Sequence, residues 1–286
     1  MSGPATQLKR AVLKRAGQAY LAGAAPSDAV MIADAVHDLG HRATLCYWNA
    51  PGDAPVDITA QSTAAVDAAG ERASWADVAV KAPALKFDEG LVTGLAERCR
   101  DRGVRLWFDS HAPAFTDQTL DLAEAVSARG CDVGVALPAR WVRSPDDAAR
   151  AMAAGLAVRV VKGQWPDPDA HDDVRAMYLS MVERLAGQAS FVGLATHDDW
   201  LLEEASGVLR ETTTPFEFQL LHGLSPRRAL VLSRTHDIPV RFYIPFGHPS
   251  LVYSFRTIWE NRRHAAWLAQ DLVLGSRKGS LLRHHR

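Results

Sequence analysis

Residues 158–165 read VRVVKGQW, a short valine-rich run that ends in a lysine and a glycine. Runs of this kind usually form buried strands, and buried strands avoid charge. This run nevertheless carries Arg159 in its middle and Lys162 at its end. A strand with charges at these places needs a polar environment along one face and at its carboxyl end.

Seven similar runs are spaced along the rest of the chain. They read ATLCYW (43–48), DVAVKA (77–82), VRLWFDS (104–110), DVGVALP (132–138), FVGLATH (191–197), FEFQLL (216–221) and RFYIPFG (241–247). Each is rich in Val, Phe and Leu, and helix-like stretches separate them. Eight strand–helix units at intervals of about 25–35 residues predict an α/β fold, a (βα)8 TIM-type barrel. An open, doubly wound sheet is the alternative, which the lack of GxGxxG after the first run disfavours.

Two helix-like stretches carry clear signals for where a helix begins. In residues 115–130, Thr116 is a candidate N-cap and Gly130 ends the stretch. In residues 144–156, Ser144 is a candidate N-cap and Pro145 takes the first helical position. Both stretches therefore predict helices that pack between strands.

Composition sets broad limits on the class of protein. The chain has 286 residues, 48% hydrophobic and 23% charged, with a net charge of −1, which gives no sign of a nucleic acid or an anionic membrane as partner. No apolar run approaches the roughly 20 residues of a membrane helix, and the amphipathic start lacks the apolar stretch of a signal peptide. Dispersed cysteines without a CxxC motif predict reduced, buried thiols in a cytoplasmic protein. These are Cys46, Cys99 and Cys131.

We divide the chain into three parts. Residues 1–40 are expected to form an N-terminal helical segment that packs on the barrel, and residues 41–275 the catalytic barrel. Residues 276–286, basic and broken by glycine and serine, are expected to be a flexible tail.

The barrel prediction indicates where the active site lies. Barrel enzymes place their active sites at the carboxyl ends of the strands, so the residues at the ends of the eight runs should line one pocket. Most of these residues are polar or chargeable, although a solvated strand end remains the alternative for each one. They are Trp48, Lys81, Asp109, Pro138, Lys162, His197, Gln219 and Gly247.

Arg159 requires a separate explanation. It lies three residues before Lys162, so on a regular strand the two side chains face opposite ways. Arg159 then points either into the barrel or under the helices, and in both places it needs a partner, because an unpaired buried charge is very costly. Asp109, near the end of another strand, is the predicted partner.

The charges favour an anionic ligand. Three cations (Lys81, Arg159 and Lys162) occur with one carboxylate, and no residues show clear metal-ligand spacing, so we predict no metal. The HDD and HDDW stretches at 171–173 and 197–200 suit turns or caps better than metal ligation. Two kinds of enzyme fit: one that holds a cofactor with its cations, or an aldolase-like enzyme with Lys81 or Lys162 as a Schiff-base amine.

Several motifs together resemble the monofunctional bacterial proline dehydrogenases over residues 20–273. In chain order they are VAVKAPAL (78–85), FDS followed by FTDQTLDL (108–122), VRVVKGQW (158–165), ATHD (195–198), FEFQLLHG (216–223) and VRFYIPFG (240–247). The resemblance implies a distorted (βα)8 barrel that binds FAD. It also implies oxidation of proline by hydride transfer, with a quinone at the membrane as electron acceptor, and therefore leaves open a peripheral membrane location.

The resemblance also implies roles for individual residues. Lys81, Asp109 and Arg159 would be catalytic, with Lys81 near the substrate carboxylate and Arg159 at the flavin ring. Tyr243 would pack against the substrate ring. The residues expected to contact the cofactor are Ser110, Pro138, Arg159, Lys162, Gly163, Gln164, Thr196, His197 and Gln219.

The chain departs from the family where the substrate is expected. Where the family carries two adjacent arginines that clamp the proline carboxylate, this chain reads SFRTIWENRR (254–263). Depending on the register, the pair becomes Arg256–Thr257 or Thr257–Ile258, and we take Arg256 and Thr257 as the substrate-binding candidates. The family's LQAYLKR becomes LPARWVR (137–143), which replaces a flavin-contacting glutamine by Pro138 and a tyrosine by Arg140. We include Arg140 among the substrate-binding residues, as a replacement for the lost carboxylate contact.

Three functions follow from this combination of retained and altered motifs. The first is an FAD-dependent dehydrogenase that oxidises proline, or a modified or cyclic proline-like amino acid, at its C–N bond. The second is a barrel without flavin that performs Schiff-base or isomerase chemistry, which Pro138 favours. The third is a non-catalytic binding protein, which the buried charges disfavour.

Overall fold

The computed structural model describes residues 20–165, 167, 169 and 173–248. Eight parallel strands in these ranges form a closed barrel in chain order, which confirms the predicted fold. Each of the eight runs identified in the sequence contains a strand. The strands are β1 (Arg42–Trp48), β2 (Ala76–Val80), β3 (Leu106–Phe108), β4 (Val133–Pro138), β5 (Ala157–Val161), β6 (Val192–Ala195), β7 (Phe216–Leu221) and β8 (Val240–Gly247).

Helices surround the barrel. Within the described ranges, one α-helix precedes β1, and one follows each strand from β1 to β7. They are α1 (Pro26–His37), α2 (Pro55–Gly70), α3 (Glu89–Arg102), α4 (Thr116–Ser127), α5 (Ser144–Ala153), α6 (Val174–Leu185), α7 (Asp199–Arg210) and α8 (Arg227–His236). Short 3₁₀ turns at Ala82–Leu85 and Pro113–Phe115 follow β2 and β3.

Helix α1 lies on the outside of the barrel, between β8 and β1. It contacts both strands and buries Ala29, Ala33 and Val36 in the main core cluster. The segment before it is tied to the carboxyl end of β8, because Ala22 N–H donates to Pro245 and Gly247 N–H donates to the carbonyl of Gly23. The helix ahead of the barrel therefore covers the seam where the barrel closes.

The two predicted N-caps are wrong by one residue. Helix α4 begins at Thr116 itself, with Phe115 at the N-cap position, because a 3₁₀ turn leads directly into it. Helix α5 begins at Ser144, and its hydroxyl donates to the carbonyl of Pro138 instead of accepting from the first turn. Pro145 lies in the first turn of α5, one position later than predicted.

The interior of the barrel is unusually polar. TIM-barrel interiors are normally filled by branched apolar residues, yet here several charged or amide side chains are buried. Their contacts join strands that are not neighbours, such as β2 to β8 and β5 to β7, and only the barrel interior permits such contacts. These buried residues are Asp77, Arg159, Glu217, Gln219 and Arg241.

Candidate active site

Arg159, on β5, lies inside the barrel and is 4% exposed. Its Nη1 donates to Oδ1 of Asp109 at 3.0 Å, and its Nε donates to the side-chain carbonyl of Gln219. The guanidinium lies 4.4 Å from the ring centroid of Trp107 and 5.4 Å from that of Tyr243. The predicted pair of Arg159 and Asp109 is thus confirmed, and two aromatic rings add cation–π attraction.

Asp109 joins this arginine to the end of β2 and to β8. Its Oδ2 accepts a hydrogen bond from the Tyr243 hydroxyl at 2.5 Å and lies 3.7 Å from Nζ of Lys81. The same Nζ lies 3.5 Å from Sγ of Cys46 and 5.7 Å from the ring centroid of Trp48. One carboxylate therefore holds a lysine, an arginine and a tyrosine from three different strands.

Burial and charge fix the protonation states of this group. Burial, and then the negative charge of Asp109, hold the pKa of Tyr243 well above its usual value. Burial raises the pKa of the Cys46 thiol to about 11. Burial lowers the pKa of Lys81, but its interactions with Cys46 and Asp109 outweigh that effect, so the pKa is raised. At neutral pH the site therefore presents a phenol, a thiol and an ammonium group.

Several buried donors or acceptors in this region lack a protein partner among the described residues, and three of them belong to residues on or just after β3, β4 and β5. These three are Nη2 of Arg159, Nε of Arg140 and Nδ1 of His111. A buried polar atom without a partner is costly, so such atoms indicate the place of a ligand or water. Arg159 is the most informative, because its other two nitrogens are already engaged.

The carboxyl ends of β4 and β5 meet at Gly163. This residue has a φ of +92°, and a Cβ added there would lie 2.7 Å from Cβ of Pro138. Nη1 of Arg140 donates to the carbonyl of Gly163 at 3.4 Å. Arg140 forms no salt bridge with the described residues, so its charge is available to an anion.

A stacked aromatic pair lies beside this position. The rings of His111 and Trp165 are 4.3 Å apart and inclined at 29°. Burial, and then the charge of Lys81, lower the pKa of His111. His111 is therefore a neutral imidazole at neutral pH, and sequence analysis assigned no role to it.

A second polar group lies at the ends of β5 and β6. Nζ of Lys162 lies 2.7 Å from Asp198, which also binds Arg175 at 3.0 Å. Burial alone would raise the pKa of Asp198, but these two cations outweigh it and lower the pKa. Thr196 accepts a hydrogen bond from the N–H of Asp198, and Nε2 of His197 accepts one from the N–H of Leu221.

The structure thus divides the predicted strand-end residues. Lys81, Asp109 and Gln219 are linked to Arg159, whereas Lys162 pairs with Asp198. Ser110 and Gln164 are half-buried. Arg256 and Thr257 lie outside the described residues.

Sequence analysis missed the contributions of Cys46, Trp107 and Glu217 to the site. Cys46 and Trp107 resemble ordinary core residues in the sequence. Residues two positions apart on a strand face the same way, so the polar residues two positions from each are the only signal that they face the barrel interior. All three cysteines of the chain are buried and unpaired, as predicted.

No set of three or more His, Cys, Asp or Glu side chains in the described ranges is arranged to hold a metal ion. The helices in the same ranges include none long and apolar enough to cross a membrane.

Comparison with known proteins identifies the family of this chain. A family model described as proline dehydrogenase matches residues 49–270. Proline dehydrogenase 1 of Bacillus subtilis (strain 168) is 26% identical over 167 residues, which are 55% of this chain and 54% of that protein. Proline dehydrogenase of Deinococcus radiodurans is 29% identical over 155 residues, 50% of this chain and 48% of that protein. The matched part spans about half the length of these relatives.

Solved structures show the same fold. Proline utilization A of Bdellovibrio bacteriovorus, inactivated by N-propargylglycine, has a TM-score of 0.73 at 16% identity, and the match covers 94% of this chain and 33% of that one. A mutant of proline utilization A of Bradyrhizobium japonicum has a TM-score of 0.64 at 20% identity, with 84% and 29% covered. At these identities the likeness shows the fold alone.

Proposed function

This chain belongs to the proline dehydrogenase family, and from that premise we propose that it is an FAD-dependent dehydrogenase. Its substrate would be proline, or a modified or cyclic proline-like amino acid, oxidised at the C–N bond. The observation that carries this proposal is the buried Arg159, whose Nη2 has no partner among the described residues although Nε and Nη1 are engaged. Such a donor suits a cofactor that gains negative charge when it is reduced.

The described residues fit a bound flavin. The unpartnered Nη2 of Arg159 would donate to it. Gly163, at the carboxyl end of the same strand, would present its backbone to the flavin without a Cβ. Bound FAD would supply the acceptor for a hydride from the substrate carbon. The other residues that would hold it are Ser110, Pro138, Lys162, Gln164, Thr196 and His197, of which Pro138 can offer only packing.

The chain's own cations would bind and orient the substrate. Lys81 is an ammonium group, so it suits the substrate carboxylate better than it suits Schiff-base attack, which needs a neutral amine. Arg140, with no salt bridge to the described residues, would provide a second contact to that carboxylate. Tyr243 would present its ring to the substrate, held in place by its hydrogen bond to Asp109.

Asp109 would organise the site through its contacts. It accepts hydrogen bonds from Arg159 and Tyr243 and lies near Lys81, so it keeps all three at fixed positions. A quinone or another electron acceptor would then regenerate the oxidised enzyme.

The first test is an absorbance spectrum of the purified protein before and after addition of FAD. We expect the two visible bands of oxidised flavin, and bleaching of the longer-wavelength band when proline or an N-substituted or hydroxylated analogue is added without oxygen. An Arg159→Met variant should bind substrate, yet its flavin band should bleach slowly. The main effect of Lys162→Met should be weaker binding of FAD. A colourless protein that ignores FAD would contradict the proposal, and borohydride trapping on Lys81 or Lys162 would then test Schiff-base chemistry.

A further inference from the structure

Gln219, expected from the sequence to contact the cofactor, has protein partners at both ends of its amide. Its Nε2 donates to Oε1 of Glu217 at 2.9 Å, and its Oε1 accepts from Nε of Arg159. Gln219 is 4% exposed and Glu217 is 0% exposed. A carboxylate only accepts and a guanidinium only donates, so the two partners together allow one orientation of the amide.

Glu217 is itself fixed by two arginines. Nε of Arg241 donates to its Oε1 at 2.5 Å, and Nη1 of Arg42 lies 3.2 Å from its Oε2. Arg241 also pairs with Asp77 at 3.0 Å. Burial lowers the pKa of Arg241, but the charges of Asp77 and Glu217 outweigh it and raise the pKa. The carboxylate that orients Gln219 is thus held by cations at the amino-terminal end of the barrel.

Gly193 provides the space that this arrangement needs. On β6 it is in register with Arg159 of β5 on one side and Glu217 of β7 on the other. A Cβ added to Gly193 would lie 2.5 Å from Nε2 of Gln219. The amide of Gln219 therefore crosses β6 at the one point where β6 has no side chain.

We propose that Gln219 is a positioning residue for Arg159, oriented by Glu217 and accommodated by Gly193. Gln219 and Asp109 each engage one nitrogen of the guanidinium and leave Nη2 alone available to a ligand. Without Gln219, the guanidinium keeps only its contacts with Asp109 and the aromatic rings and can rotate. The catalytic consequence rests on the proposed function, but the positioning itself does not.

The positioning is tested by NMR without flavin. The Nε–H signal of Arg159, assigned by its loss in Arg159→Lys, should exchange slowly with water in the wild-type protein. In Gln219→Met, which keeps the length of the side chain, exchange should become about tenfold faster, since one hydrogen bond of this kind is lost. The control is Leu220→Met, a buried neighbour on the same strand that faces the opposite way. Unchanged exchange in Gln219→Met would overturn the inference.

The catalytic consequence is tested on the FAD-loaded protein. In Gln219→Met we expect FAD to remain bound, its midpoint potential to become more negative and kcat to fall about tenfold with KM nearly unchanged. Gly193→Ala should produce the same pattern, because its new methyl group displaces the amide. Wild-type potential and kcat in both variants would contradict a positioning role. If the wild-type protein binds no FAD, the proposed function fails, while the NMR experiment still decides whether Gln219 positions Arg159.

Discussion

At the scale of single residues, Arg159 explains why a charge interrupts a valine-rich strand. Removal of a guanidinium from water costs several kcal/mol, and a single ion pair often fails to offset that cost. Here a carboxylate, an amide carbonyl and two aromatic rings all contact the same group. Protein groups thus solvate the guanidinium except at Nη2, which suits a charge that is kept for function.

Replacement of Asp109 by asparagine should therefore be costly. Asp109→Asn leaves Arg159 and Lys81 facing a neutral amide, so we expect the free energy of unfolding to fall by about 3–5 kcal/mol, the range for an uncompensated buried charge. Asp34→Asn is the matched control, because Asp34 pairs with Arg72 at the surface and is 45% exposed; it should cost at most about 1 kcal/mol. Chemical denaturation of both variants measures the difference. Equal losses would mean that water already solvates the Asp109 cluster.

The second prediction at this scale concerns pH. Burial lowers the pKa of His222, and its Nδ1 has no partner among the described residues. The folded pKa is thus below the unfolded value of about 6.5, so the unfolded chain binds a proton first as pH falls. The contribution of His222 to stability is therefore lost below about pH 6.5, with a slope of at most about 1.4 kcal/mol per pH unit.

His222→Phe removes this titration. The difference in unfolding free energy between the wild-type protein and the variant should be constant above about pH 7 and should shift in favour of the variant at lower pH. Denaturation curves at several pH values give this difference directly. A difference that stays flat through the acid range would show that His222 is solvated in the folded protein.

At the scale of elements, the strands were predictable and the helix starts were less so. A strand is signalled by its own composition, and each of the eight runs contains one. The start of a helix depends on which backbone groups the preceding turn already satisfies. The 3₁₀ turn before Thr116 and the hydroxyl of Ser144 that bonds to Pro138 both involve contacts that a local pattern does not contain.

Gly163, in the loop after β5, allows the cost of backbone strain to be measured separately from the cost of side-chain crowding. Gly163 and Gly187 both have a positive φ, of +92° and +77°, but a Cβ at Gly187 would meet nothing within 4 Å. Both Gly→Ala variants should lose about 1–2 kcal/mol from the strained backbone. Gly163→Ala should lose about 1–3 kcal/mol more, because Pro138 and Arg140 must move. Thermal and chemical denaturation measure the two losses. Equal losses would mean that Pro138 and Arg140 move aside without a cost in stability.

At the scale of the whole molecule, the site depends on contacts between distant parts of the chain. Arg159 and Gln219 are 60 residues apart, and Asp109 and Tyr243 are 134 apart. The sequence predicted Asp109 as the partner of Arg159, because a closed barrel brings strand ends together. It did not predict the engagement of Gln219 by Glu217, because that depends on Gly193 leaving space on the strand between them.

The ring of helices shows the same dependence on the whole molecule. In this chain α1, which precedes β1, lies between β8 and β1. The first part of the described chain is therefore integral to the barrel, because it covers the apolar seam that closure of the barrel leaves.

This role of α1 predicts opposite outcomes for two substitutions only two residues apart. Ala33 is 0% exposed against the barrel, whereas Met31 on the same helix is 64% exposed. Both Ala33→Asp and Met31→Asp reduce helix propensity by well under about 1 kcal/mol, so that effect is shared. Ala33→Asp should in addition bury an unpaired carboxylate and cost about 3–5 kcal/mol. Denaturation of the two variants measures the gap, and if the gap is absent, α1 does not seal the barrel in solution.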